Sequence, residues 1–239
     1  MNQTMPPLRT RIKICGLTRE QDVDVAAAAG VDAIGFNLYE KSPRYVTLDR
    51  AIELARRLPA FVTPVLLFVN ASVAHVQACS NRLPHAVLQF HGDESPQDCW
   101  EASRSGTQAY IRVARIPVDD SVRNFDLVEY ASLHSRASAL LLDAHVTGYG
   151  GGGKTFNWSL LPASVNCHLV LGGGLTPANV TDGITLLRPR CKTLAVDVSS
   201  GVEVSPGIKD ASRIFQFVAA VRAADHQLAS PQHAPLPTT

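Results

Sequence analysis

The sequence predicts a single-domain α/β protein, a (β/α)8 TIM barrel. Three observations predict it. Eight short apolar runs recur along the 239 residues: Arg11–Gly16, Ala33–Tyr39, Thr63–Asn70, Ala86–Gly92, Ala109–Ile116, Ala139–Asp143, His168–Gly174 and Thr193–Ser199. Helical segments separate them at an even spacing of about 25–30 residues, as in parallel barrels of about 250 residues. Most runs end in residues that do chemistry rather than in turn formers, namely Cys15, Asn37, Asn70, His91, Arg112, Asp143, a Gly172–Gly174 triplet and Asp197. Alternating strands and helices imply a parallel sheet. Length alone also admits two ordinary domains, and alternation alone also admits an open doubly wound sheet. The count of eight and the even spacing favour closure, with the site at the C-terminal rim of the strands.

The helices follow in order. Thr18–Ala29 opens on a cap-like Thr18 and closes at Gly30, a good residue just past a helix end. Thr47–Leu58 has Thr47 as cap, apolar residues at helical spacing, and a stop at Pro59. Ser72–Leu83 repeats this scheme before Pro84, and Ser95-Pro96 starts a helix that Gly106 closes. Asp120–Ser135 is a weaker helical stretch. After Asp143 only a short helical piece is expected, at Asn157–Leu161. Thr176-Pro177 starts a helix broken before Pro189. Ile208–Ala224 carries the clearest stripe, formed by Ile214, Phe217, Val218 and Val221. The expected organisation is an N-terminal extension over 1–10, the barrel over 11–225 and a flexible tail over 226–239, whose Pro, Ala and polar content lacks a docking stripe.

Composition excludes several function classes. A net charge of +1 leaves no electrostatic footprint for nucleic acid or a membrane surface. No apolar run approaches the roughly 18 residues of a spanning helix, and Met1–Arg9 lacks a signal-peptide core. The five cysteines, Cys15, Cys79, Cys99, Cys167 and Cys191, lie far apart without a Cys-x-x-Cys pair, which argues against a disulfide framework or a zinc knuckle. A cytoplasmic protein is expected.

Strand periodicity places Lys13 and Cys15 on one face of the first strand and Ile12 and Ile14 on the other. Cys15 then sits in the barrel mouth, either as a small buried hydrophobe or as a nucleophile or base acting through its thiolate. Asp143 ends a run of three leucines and shares a face with Leu141. An acid there is costly to bury unless paired or functional, the alternative being a loop cap. Asp197, between Val196 and Val198, poses the same choice. Gly172, Gly173 and Gly174, and Ser199, Ser200 and Gly201, make turns after the seventh and eighth strands, where barrels often hold phosphate on backbone N–H groups. Arg44 follows Ser42-Pro43, a rigid turn able to aim a guanidinium at a carboxylate, or else is a solvated loop arginine. His91 reads as an acid–base group or a hydrogen-bonded rim residue, the second being favoured.

Gly148–Thr155 satisfies the phosphate-loop pattern G-x-x-x-x-G-K-T. A true phosphate loop joins a strand directly to a long helix, whereas here Pro162 cuts the following helix short. The glycine richness makes the match cheap. A mobile loop covering a site is the preferred reading of Gly148–Lys154.

Seven motifs occur together and in order: Lys13-Ile-Cys-Gly-Leu-Thr18, Ser42-Pro-Arg44, Leu88-Gln-Phe-His-Gly92, Leu141-Leu-Asp143, Gly153-Lys-Thr-Phe156 with Trp158, Leu171-Gly-Gly-Gly-Leu-Thr-Pro177 and Val196-Asp-Val-Ser-Ser-Gly-Val-Glu203. From about Arg11 to Ala224 the chain resembles the phosphoribosylanthranilate isomerases of tryptophan biosynthesis. The resemblance implies an Amadori rearrangement of N-(5-phosphoribosyl)anthranilate to 1-(2-carboxyphenylamino)-1-deoxyribulose 5-phosphate, without cofactor or metal. It implies Cys15 as general base, Asp143 as general acid, Arg44 on the anthranilate carboxylate and the phosphate on the two glycine turns. His91 and Asp197 join Arg44 as substrate-binding candidates. The small-molecule substrate would be the partner of a monomer or homodimer. One departure is the run of four glycines with Asn157 before Trp158, where the family more often has fewer glycines and Asp. The competing readings are a neighbouring sugar-phosphate isomerase that uses two aspartates, and a catalytically silent phosphate-binding barrel.

Overall fold

The computed structural model describes residues 9–118, 125–145, 155 and 157–229. Eight parallel strands close in chain order: β1 (Arg11–Cys15), β2 (Ala33–Asn37), β3 (Thr63–Phe68), β4 (Val87–Phe90), β5 (Tyr110–Pro117), β6 (Ala139–His145), β7 (Val165–Leu171) and β8 (Cys191–Val198). The barrel shuts where β8 pairs with β1, with Lys13 opposite Asp197. The period of two sorts each strand into two cores. Ile12, Ile14, Ile34, Phe36, Leu66 and Leu88 face outward into the main core beneath the helices. Val113, Leu141 and Val170 fill the barrel interior, and Cys15, Leu67 and Val69 cluster nearer the rim. The barrel expected from the sequence is the one observed.

The helices are α1 (Glu20–Ala28), α2 (Leu48–Ala55), α3 (Val73–Arg82), α4 (Pro96–Ala102), α5 (Leu127–Leu133), α6 (Val180–Leu187) and α7 (Ala211–Ala229). The caps at Thr47, Ser72 and Ser95 form as expected, each side chain accepting from the backbone N–H three residues on. Each such cap contributes about 1 kcal/mol. Between β6 and β7 the described residues hold a single 3₁₀ turn, Trp158–Leu160.

Several boundaries differ, some for a tertiary reason and some for a local one. Thr18 does not cap α1, because its hydroxyl donates to the Gly207 carbonyl at 2.7 Å and the helix starts at Glu20 without a side-chain cap. Asp126 caps the fifth helix by accepting from Val128 and Glu129 N–H, and residues 120–124 of the expected stretch lie outside the described residues. After β7 the Asn179 side chain accepts from Thr176 N–H and donates to the Gly174 carbonyl, which delays α6 to Val180. Ile208–Lys209 is a short strand, β10, paired with β9 (Glu203–Ser205), so α7 begins at Ala211. That helix continues past Ala224 to Ala229, anchored by Asp225, which accepts from Thr10 N–H at 2.7 Å and pairs with Arg188 at 2.7 Å. The expected extension, the loop Gly148–Lys154 and the tail lie outside the described residues except for Arg9, Thr10 and His226–Ala229.

Candidate active site at the C-terminal rim

The two groups expected to move protons come from opposite sides of the mouth. Cys15 ends β1, buried with 7% exposure, over the bare Cα of Gly35 on β2; a Cβ there would lie 2.7 Å from its Sγ. Burial pushes its thiol above the ordinary value, and Lys13 and Lys209 pull the other way. Lys13, one residue pair lower on the same face, donates to Asp197 Oδ1 at 2.8 Å. Burial works against its ammonium, but Asp197 and then Cys15 outweigh it, so Lys13 stays a cation. Asp197 is thus the half-buried counter-ion of the buried Lys13 as well as a rim residue.

Asp143 lies near the end of β6, which runs two residues beyond the expected limit to His145, and is buried. Its Oδ1 accepts the N–H of Ala144 at 2.9 Å, and its Oδ2 lies 2.9 Å from His91 Nε2. Gln89, fully buried on the same face of β4, holds His91 Nδ1 through its Nε2 at 3.1 Å. The chain Gln89–His91–Asp143 therefore fixes the carboxyl within the mouth. His91 is a hydrogen-bonded rim residue, in line with the favoured sequence reading.

Arg44 does not extend into solvent. It is 9% exposed and forks Glu203, with Nε to Oε1 at 2.9 Å and Nη2 to Oε2 at 2.7 Å. Its loop is set by Asn37, whose amide donates to Ser42 Oγ, which accepts Arg44 N–H. Gly16 makes room for the stem: at φ +76° a Cβ would meet Arg44 Cδ at 2.5 Å. Lys209 Nζ bonds Glu203 Oε1 at 2.7 Å, the Cys15 carbonyl at 2.6 Å and the Ser199 carbonyl at 3.2 Å. Burial pushes the Glu203 carboxyl up, but the bonds from Arg44 and Lys209 outweigh it and hold it below the usual range.

The glycine turns divide by role. Gly174, Leu175, Thr176, Ser200, Gly201 and Arg213 line one shallow pocket. Gly201 packs so closely on the β7 turn that a Cβ would lie 1.9 Å from Leu175 O. Gly172 and Gly173 lie deeper, against β6: a Cβ on Gly173, at φ +70°, would meet Ala144 N at 2.5 Å and Asp143 Oδ1 at 3.0 Å. Ser199 donates to the Cys15 carbonyl at 3.0 Å, linking the last turn to β1.

One strand-end residue falls elsewhere. Arg112 points outward from β5, over the Tyr130 ring of α5. Its Nη1 donates to Phe90 O, Gly92 O and Glu94 Oε2 at 3.0, 3.1 and 3.3 Å, and Glu94 accepts Asn70 and Gly92 N–H. This buried pair fastens the ends of β3 and β4 from behind. Arg115, opposite Asp143 in the β5–β6 register, is the rim arginine of that strand. Sequence reasoning passed over Gln89, Glu203, Lys209 and Arg213. Gln89 and Glu203 stood inside quoted motifs, whereas nothing local marked Lys209.

The profile of the family described as N-(5'phosphoribosyl)anthranilate (PRA) isomerase matches residues 12–220. An N-(5'-phosphoribosyl)anthranilate isomerase of Leptothrix cholodnii is 56% identical over 92% of this chain and 94% of its own length. The crystal structure of phosphoribosyl anthranilate isomerase from Thermotoga maritima superposes with a TM-score of 0.77 at 35% identity, covering 90% of this chain and 99% of that one. A further solved structure, of the isomerase in complex with reduced 1-(o-carboxyphenylamino)-1-deoxyribulose 5-phosphate, has a TM-score of 0.71 at 30% identity, covering 90% and 99%.

Proposed function

The chain belongs to the N-(5'-phosphoribosyl)anthranilate isomerase family and is the isomerase of tryptophan biosynthesis; from that premise we propose how its own residues perform the rearrangement. Asp143 is the general acid. Its proton goes to the ribose ring oxygen as the C1–O bond breaks, and the anilino nitrogen lone pair forms the C1=N iminium. The iminium acidifies the C2 hydrogen, and Cys15 as thiolate removes that proton. The C–H electron pair becomes the C1=C2 bond and neutralises the nitrogen. The resulting enol takes a proton at C1 while its C2 hydroxyl releases one as the C2=O bond forms, giving the ketone, so the reaction is redox-neutral and complete without a cofactor. General acid–base steps of this kind are worth about 10²–10⁴-fold each.

The single observation behind this reading is that Cys15 and Asp143, on the first and sixth strands, are both held on the inner face of one mouth. Lys13, fixed by Asp197, supplies the cation next to a Cys15 thiolate. His91 and Ala144 N–H hold the Asp143 carboxyl in place. Arg44 takes the anthranilate carboxylate, and His91 and Asp197 border the sugar. The phosphate rests on the β7 and β8 turns, with Gly174, Ser200 and Gly201 in its pocket. The buried carboxylate Asp143 in the mouth disfavours a catalytically silent barrel, and a cysteine in place of a first-strand aspartate disfavours the two-aspartate isomerase. The enzyme acts in the cytoplasm as a monomer or homodimer, without nucleic-acid or membrane partners; no helix among the described residues is long and apolar enough to cross a membrane. Loss of fluorescence on freshly made phosphoribosylanthranilate tests the assignment, and the two-aspartate isomerase's substrate is the control. Turnover of the control alone would overturn it.

A further inference from the structure

We infer that Glu203 is a positioning residue that sets which edge of Arg44 meets the substrate carboxylate, an inference that rests on the assignment of Arg44 above. A guanidinium has five N–H donors in a rigid fork. Glu203 engages Nε and Nη2, in a bond pair of 2.9 and 2.7 Å. The remaining donors belong to Nη1 and the outer hydrogen of Nη2. These two point along one edge of the plane, where a second carboxylate can be held bidentately. An unpaired Arg44 could rotate about its last bonds and offer any edge; the Glu203 fork removes that freedom before the substrate arrives.

Glu203 is itself fixed from three other directions. Its side chain is 4% exposed. Gly207 N–H donates to its Oε1 at 3.2 Å and Lys209 Nζ to the same oxygen at 2.7 Å. Arg213 donates to its backbone carbonyl. Lys209 in turn holds the Cys15 carbonyl and Ser199. One buried cluster thus ties the anthranilate clamp to the strand end that carries the base and to the turn beside the phosphate pocket.

The test compares two ligands: reduced 1-(o-carboxyphenylamino)-1-deoxyribulose 5-phosphate and its phenylamino analogue lacking the carboxyl group. Their Kd values are measured on wild type, Glu203→Gln, Glu203→Asp and Arg44→Ala. Glu203→Asp keeps the charge but withdraws the carboxylate by one methylene, so it reports even where Glu203→Gln does not fold. Both Glu203 variants are expected to weaken the carboxylated ligand about tenfold, the scale of one hydrogen bond to a charged group. The phenylamino ligand should change by less than about twofold. Arg44→Ala should show the same selectivity. Equal weakening of both ligands by the Glu203 variants, or no change in either, overturns the inference and leaves Glu203 a structural brace. If Arg44→Ala also weakens both alike, the carboxylate assignment of Arg44 falls with it. Selectivity in Arg44→Ala alone would remove only the role of Glu203.

Discussion

Gly35→Ala is a test of how closely the general base is fitted. Gly35 pairs with Cys15 across β1 and β2 and points into the mouth. A Cβ at this position would stand 2.7 Å from Cys15 Sγ and 3.2 Å from both Cys15 Cα and Lys13 Cε. Favourable contacts lie at about 3.5–4.0 Å, so the thiol must move by about 1 Å. Its backbone is not left-handed, and alanine therefore carries no φ penalty. Overpacking costs about 1–3 kcal/mol, and the entropy removed from the unfolded chain returns about 0.4–1 kcal/mol. A net loss at the middle of these ranges, about 1.3 kcal/mol, should lower Tm by about 3–5 °C in a domain of this size. Activity should suffer more, because a displacement of about 1 Å at a reacting group can cost about a hundredfold. Steady-state kinetics on phosphoribosylanthranilate and calorimetry measure the two effects. In a Cys15→Ala background the 2.7 Å contact disappears, so the Tm loss caused by Gly35→Ala should shrink. A Gly35→Ala enzyme with kcat/KM within twofold of wild type would refute the placement of the thiol.

Cys15→Ser and Asp143→Asn should each reduce kcat by at least about a hundredfold with the fold retained; near-normal turnover in either would remove that residue from proton transfer. Inorganic phosphate should compete with substrate, and Gly201→Ala, whose Cβ would meet Leu175 O at 1.9 Å, should raise both the phosphate inhibition constant and KM; an anion seated on 150–155 in a bound structure, with the β7 and β8 turns empty, would reverse the site assignment. His134, capping α5, is pushed down to about 4 by burial and then by Arg112. Its folded value lies below the unfolded 6.5, so the stability is intact above pH 6.5 and is lost as pH falls from 6.5 toward 4, by up to about 3 kcal/mol. His134→Asn should flatten Tm over that window, and an unchanged slope would refute the assignment.

The sequence by itself determined the barrel, the inward face of β1 and β6, and most of the rim. These follow from local rules: a period of two along each strand, caps at Thr47, Ser72 and Ser95, and glycine turns after β7 and β8. Cys15, Asp143 and His91 were legible because an isolated polar group ending an apolar run has few cheap places to go. The tertiary structure alone decided which charges pair. Arg44 finds Glu203 across 159 residues, and Lys209 reaches the Cys15 carbonyl across 194. No periodicity encodes such distances; burial selects the partner, because a buried cation without a counter-charge is unstable. For the same reason Arg112, a strand-end residue by sequence, belongs to the outer layer, where Glu94 and the carbonyls of Phe90 and Gly92 receive it. The helix limits at Thr18, Ile208 and Ala224 also escaped local reading. The limits at Thr18 and Ala224 are set by contacts remote in sequence, the Gly207 carbonyl and the Thr10–Asp225 latch, and that at Ile208 by pairing with the neighbouring β9 strand.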